Sequence, residues 1–177
     1  MQQHIKSLIR TIPDFPHPGI QFRDITTLFN DAAGFRLTID ALAARYAGQA
    51  ISKVAGIESR GFILAAPLAL ALGAGFVPIR KPGKLPAERI GLDYQLEYGT
   101  DRVEAHVDAI ARDERVLLVD DLIATGGTAL AAATLIETLG GKVVECAFVI
   151  DLPALGGRKR LSAGGFGSIA LCAFDGE

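Results

Sequence analysis

A chain of 177 residues with 50% hydrophobic content is the size of one α/β domain and carries ample apolar material for a core. Its 18 basic and 20 acidic residues leave a net charge of -2 without a long run of either sign, which argues against a broad nucleic-acid or membrane-surface footprint. Met1 to Thr11 lacks the apolar core of a signal peptide, and the longest apolar stretch, Phe62 to Val77, contains Pro67 and falls short of a membrane span, so a soluble cytoplasmic protein is expected.

Ile5, Leu8, Ile9 and Ile12 recur at helical spacing and predict a short amphipathic helix over about residues 2–11, ended by Pro13. Pro13, Pro16, Pro18 and Gly19 then exclude a helix and favour an extended, rigid loop up to Ile25. Such a loop presents backbone N–H and C=O groups to a ligand edge, with Phe22 as a stacking face, or serves as a plain connector. Gly34 to Tyr46 reads as an amphipathic helix. Ser52 to Ile57 reads as a strand that delivers Glu58-Ser59-Arg60-Gly61 to a buried helix, Phe62 to Leu72. In a parallel sheet the loop of that unit opens on the carboxyl edge, where Arg60 faces a ligand crevice. A strand from Gly75 to Ile79 ends in Arg80, Lys81 and Lys84, three cations stiffened by two prolines, which a diphosphate or solvent would screen.

Ala87 to Gly99 has weak periodicity and reads as a long loop, and a long loop in a compact domain is usually a functional lid or disordered. Arg102 to Val107 alternates and reads as a half-exposed strand able to pair antiparallel inside that insertion, so a lid over about residues 83–107 is expected. His4, His17 and His106 read as surface residues.

Val116 to Val119 is the most strand-like run of the chain, and Asp120 and Asp121 are expected to stop it. Ala124, Thr125, Gly126, Gly127 and Thr128 follow, then an Ala-rich helix from Ala129 to Leu139. Unhindered N–H groups at a helix N-terminus, two threonine hydroxyls and two glycines suit a phosphate. The two aspartates just before them can accept from vicinal ribose hydroxyls or face a hydrated metal ion. The lysine of a P-loop and the spacing of GxGxxG are both missing, which leaves ribose plus a monophosphate as the ligand chemistry. Lys142 to Leu152 and Ser168 to Phe174 read as further strands, holding Cys146 and Cys172 as buried thiols, and Gly156 to Arg160 as a solvated turn. No repeat or linker divides the chain, so residues 1–177 are expected to form a single domain.

The Asp120-to-Thr128 segment resembles the phosphoribosyl pyrophosphate (PRPP) signature of the type I phosphoribosyltransferases. Phe15-Pro16-x-Pro18-Gly19-Ile20-x-Phe22-Arg23-Asp24-Ile25, Gly56-Ile57-Glu58-Ser59-Arg60-Gly61-Phe62, Arg80-Lys81-x-Gly83-Lys84-Leu85-Pro86 and Leu96-Glu97-Tyr98-Gly99 precede it, and in that order the five are similar to the adenine phosphoribosyltransferases from about residue 13 to 150. The resemblance implies a central, mainly parallel sheet flanked by helices, with a flexible lid. It implies conversion of adenine and PRPP to AMP and pyrophosphate, Mg2+ held mainly through PRPP near Asp120 and Asp121, and a homodimer in which basic-loop side chains serve the neighbouring site. Ala124 to Thr128 would then hold the 5′-phosphate, Asp120 and Asp121 the ribose hydroxyls, and Arg60, Arg80, Lys81 and Lys84 the pyrophosphate. Gln21, Phe22 and Arg23 in the base-binding loop, residues 13–25, would read adenine through their backbone, with Phe22 and Leu122 sandwiching the ring. Glu97 and Tyr98 fall on the lid, Glu97 as the group handling the base proton. Gln21 stands where the family more often has an aliphatic residue. The alternatives are a non-catalytic PRPP-binding regulator and a phosphoribosyltransferase for a 6-oxopurine. The regulator usually needs an added nucleic-acid-binding module or a basic face, for which the chain has neither length nor charge.

Overall fold

In the computed structural model residues 1–95 and 99–176 are described. Val116, Leu117, Leu118 and Val119 are fully buried, as a strand covered on both faces requires. They belong to β7 (Arg115–Ile123), the centre of a five-stranded, all-parallel sheet. The other strands of that sheet are β3 (Lys53–Ile57), β4 (Gly75–Ile79), β8 (Lys142–Asp151) and β9 (Ser168–Ala173), in the order β4-β3-β7-β8-β9. β3 and β4 run outward on one side and β7, β8 and β9 on the other. The order therefore reverses between β3 and β7, and a crevice opens beyond their carboxyl ends.

Helices cover both faces. On one lie α1 (Gln2–Ser7), α3 (Ala32–Tyr46) and α4 (Arg60–Leu72), which bury Ile5, Leu42, Leu64 and Leu68 against Leu117 and Val119. On the other, α5 (Gly127–Thr138) and α6 (Gly157–Ala163) bury Ala132, Leu135 and Leu161 against Val116, Leu118 and Phe148. The alternation along β7 thus supplies two cores from one strand. The short α2 (Thr26–Asn30) joins the N-terminal segment to α3.

Four expectations are corrected. The first helix ends at Ser7, because Arg10–Pro13 (β1) pairs antiparallel with Gln21–Asp24 (β2), a long-range pairing that outweighs the helical spacing of Ile9 and Ile12. The two aspartates do not stop β7: the long neighbour β8 carries the ladder on through Asp120↔Phe148 to Ile123↔Asp151. Residues 89–95 are not loop but a strand, β5 (Arg89–Gln95), paired antiparallel with β6 (Thr100–His106). Ile90, Leu92 and Tyr94 point it at the second core, an alternation present in Arg89-Ile90-Gly91-Leu92-Asp93-Tyr94-Gln95. Arg158 to Arg160 sit on α6 rather than in a turn, because Leu161 anchors that helix with a fully buried side chain.

Cys146 and Cys172 are both free and buried, and burial pushes their thiols up to about 12 and about 11. Among the described residues no helix is long and apolar enough to cross a membrane.

Candidate active site

The crevice between β3 and β7 is a cavity of about 370 Å³. Glu58, Ser59 and Arg60 line it from the end of β3, and Asp120 through Thr128 from the end of β7. Two helix N-termini, those of α4 and α5, therefore open onto the same space, each bringing a positive dipole end. α5 has no side-chain cap and no acidic residue in its first turn, so its leading N–H groups stay available to an anion. Gly126 makes the turn possible: its φ of +78° is left-handed, and a Cβ there would stand 2.6 Å from the carbonyl oxygen of Gly157 on α6.

Arg60 and Asp121 meet across this floor. The Arg60 Nε donates to Asp121 Oδ2 at 2.5 Å, fixing the guanidinium at the mouth of the α4 N-terminus. Asp120 accepts from the N–H of Asp121 at 2.9 Å. Its burial, and after that the charge of Asp121 beside it, push the Asp120 carboxyl well above the usual carboxylate range. Among the described residues no cluster of three or more His, Cys, Asp or Glu side chains is placed to hold a metal ion.

The three cations of the basic loop have different surroundings. Arg80 is held by Glu58, with Nε to Oε2 at 3.2 Å, and by the Lys84 carbonyl at 3.1 Å, and it does not line the cavity. Lys81 does line it; its ammonium is bound to Asp101 on β6 and lies 3.3 Å from the Tyr94 hydroxyl on β5. Partial burial works against that ammonium, and its hydrogen bonds to Asp101 and Tyr94 outweigh the effect, so the pKa is raised. Lys84 is exposed, makes no ion pair among the described residues and does not line the cavity. Buried Glu104 ties the loop to the β5–β6 hairpin, accepting from the N–H of Gly83 at 3.1 Å and pairing with Arg89 and Arg102.

Leu122 lines the cavity, whereas Gln21, Phe22 and Arg23 do not. Phe22 packs edge-on against Phe15, with centroids 5.2 Å apart. The Arg23 side chain turns toward the C-terminus, where it lies over Phe174 and donates to Thr11 and to the carbonyl of Asp175. Arg10 clamps Asp24 at the end of β2, with Nη2 to Oδ2 at 2.5 Å. Glu97 and Tyr98, expected on the lid, lie outside the described residues.

A crevice with an uncapped helix, an Asp-Asp strand end and facing cations is common to many sugar-phosphate enzymes, and whole-chain similarity narrows it. Residues 29–163 match the phosphoribosyl transferase domain family. The adenine phosphoribosyltransferase of Methylobacillus flagellatus is 66% identical, over 97% of this chain and 98% of its own. The chain belongs to the adenine phosphoribosyltransferases. Among solved structures, the family member from Thermoanaerobacter pseudethanolicus superposes with a TM-score of 0.93 at 50% identity, over 98% of this chain and 100% of its own. The one from Saccharomyces cerevisiae, complexed with an imino-altritol bisphosphate and adenine, gives 0.90 at 41% identity, over 96% and 97%. Within this member of the family, Glu58, Tyr94, Asp101 and Glu104 escaped the sequence reading. Each acts on a cation or hydroxyl distant in sequence, and only Tyr94 left a signal, as one of the inward positions of an alternating strand.

Proposed function

We propose that this chain is a purine salvage enzyme that transfers the 5-phosphoribosyl group of PRPP to N9 of adenine, giving AMP and pyrophosphate. The observation that carries the reading is the uncapped α5 N-terminus, reached through Asp120 and Asp121 and faced by Arg60 and Lys81. Ala124 to Thr128 take the 5′-phosphate through N–H and hydroxyl donors. Asp120 and Asp121 accept from the ribose hydroxyls, with Arg60 holding Asp121 in place. Arg60 and Lys81 meet the pyrophosphate, where negative charge grows as the C1′–O bond breaks and its electron pair leaves with the oxygen. N9 forms the new bond to C1′, and Glu97 takes the proton adenine gives up. No covalent nucleophile is required.

Adenine is read by the backbone of Gln21 to Arg23, with Phe22 and Leu122 on either side of the ring. β2 has only β1 as a strand partner among the described residues, which leaves its other edge with backbone groups to offer. An N6 donor beside an N1 acceptor matches such an edge, while the O6 of hypoxanthine would face a carbonyl.

Mg2+ fits this donor set as a guest of the substrate. Two adjacent carboxylates, one already paired with Arg60, are too few for a protein cage but suit an ion that keeps its waters and binds phosphate oxygens, with Asp120 and Asp121 as the neighbouring acceptors. Bound there, it would neutralise charge on the departing pyrophosphate. We also read the protein as a homodimer of the cytoplasm. Arg80 and Lys84 do not line their own chain's cavity, in keeping with service to a partner's, and two unpaired thiols suit a reducing compartment.

The test is nucleotide formation from PRPP and Mg2+ with adenine, hypoxanthine, guanine or xanthine. AMP from adenine alone is expected, with activity lost in Asp121→Ala. Turnover of a 6-oxopurine in preference to adenine would overturn the base assignment, and PRPP binding without turnover of any base would point to the regulator.

A further inference from the structure

Tyr94 is 7% exposed, yet its hydroxyl touches three polar groups on three separate elements. Thr128 Oγ1 at the start of α5 lies 3.1 Å away, Asp101 Oδ2 on β6 lies 2.9 Å away, and Lys81 Nζ in the basic loop lies 3.3 Å away. The directions of these bonds follow from the donors available. An ionised carboxylate only accepts, so the single Tyr94 proton goes to Asp101. An ammonium only donates, so Lys81 gives to the Tyr94 oxygen and to Asp101. Thr128 must then donate its own proton to Tyr94.

A phosphate in the Ala124–Thr128 loop also only accepts, and the Thr128 hydroxyl has one proton to give. Giving it to the phosphate leaves the Thr128 oxygen as an acceptor, and among the described residues the Tyr94 hydroxyl, 3.1 Å away, is placed to satisfy it. Tyr94 must then let go of Asp101, whose remaining partners are Lys81 and the N–H of Arg102. Filling the loop thus takes a donor from the carboxylate that holds the ammonium lining the other half of the cavity.

We propose that Tyr94 is a positioning residue that couples the 5′-phosphate subsite to the pyrophosphate subsite: when phosphate binds, the Thr128–Tyr94 hydrogen bond reverses and Tyr94 releases Asp101, the carboxylate that holds Lys81. The proposal rests on the phosphoribosyl-transfer reading above and adds to it a residue that touches neither reacting atom. Two hydrogen bonds that exchange partners amount to a coupling on the order of tenfold in affinity.

The experiment titrates magnesium pyrophosphate into the full-length protein by calorimetry, with and without saturating ribose 5-phosphate, in the wild type, Tyr94→Phe and Asp101→Asn. In the wild type, ribose 5-phosphate is expected to change the pyrophosphate affinity by on the order of tenfold. Tyr94→Phe keeps the ring and its packing and should bring that ratio to about one, while each ligand still binds alone. Asp101→Asn should shrink the ratio as well. A ratio unchanged in Tyr94→Phe overturns the proposal, since a purely structural role would leave it alone. Wild-type protein that makes no AMP from adenine and PRPP would instead sink the underlying reading, a separate outcome from a separate assay.

Discussion

Asp120, the proposed ribose acceptor, shows how a cavity-lining carboxyl costs its own fold. A carboxyl whose folded pKa stands above its unfolded value near 4 binds a proton more tightly when folded, so it takes stability away as pH rises through and beyond that value. Asp120→Asn removes the ionisable group and keeps an oxygen to accept from the N–H of Asp121. The variant should melt at the same temperature as the wild type near pH 4 and higher at pH 7, while KM for PRPP rises on the order of tenfold as a ribose acceptor weakens. Equal melting temperatures at both pH values would contradict the cause given for the shift. At this scale the sequence was informative wherever chemistry is local. The aspartate pair, the small-residue loop and Arg60 are each readable because strand, loop and helix follow one another along the chain. Glu58 and Asp101 were not, because a carboxylate that pairs with a cation 20 or so residues away carries no mark of it.

The β1–β2 hairpin is the element to which base recognition is assigned in the proposal above, and little apolar burial secures it: β1 is largely exposed and β2 half-buried. Its fixing point is Asp24. Hydrogen bonds from Thr26, and then the guanidinium of Arg10, hold that carboxyl at about 2. A depressed folded pKa contributes stability above the unfolded value near 4, and the contribution is lost as pH falls from there toward 2. Arg10 is 59% exposed, so solvent screening brings the contribution to about 1 kcal/mol. Asp24→Asn should lose about that much stability at pH 7 and nothing at pH 2, as read by urea unfolding at the two pH values. Its KM for adenine should rise while KM for PRPP holds, because the hairpin does not line the cavity that holds the phosphate loop. The hairpin also shows why elements were harder to read than motifs. Ile9 and Ile12 fit a helical period, but residues 10–13 find their partners at 21–24, beyond any local window. The β5 strand had the opposite problem, since its alternation was local but interrupted by Gly91 and enclosed in polar sequence.

At the scale of the molecule, the parallel sheet, its helices and a crevice on the carboxyl edge were legible, because long apolar runs separated by helical periods admit few topologies, whereas the strand order that reverses between β3 and β7 was not. Assembly was not legible from the residues themselves, and the exposed apolar side chains are the candidates for an interface of the homodimer proposed above. Ile63 and Leu70, seven residues apart on α4, share a face and are 43% and 84% exposed. Phe76, on the sheet's edge strand β4, is 39% exposed and stacks edge-on against Phe62 with centroids 5.6 Å apart. Exposed apolar side chains on a helix and on the edge strand packed beside it are what a self-complementary interface buries. Leu70→Lys discriminates sharply because of that exposure. On a monomer it is a surface change expected to move stability by no more than about 0.5 kcal/mol and to leave activity alone. In a homodimer it places a charge in the apolar centre of the interface, so sedimentation should shift from dimer toward monomer. Specific activity should then fall on dilution, because Arg80 and Lys84 no longer reach a partner's pyrophosphate subsite. A Leu70→Lys protein that sediments and turns over like the wild type at every concentration would show that this face is not the interface.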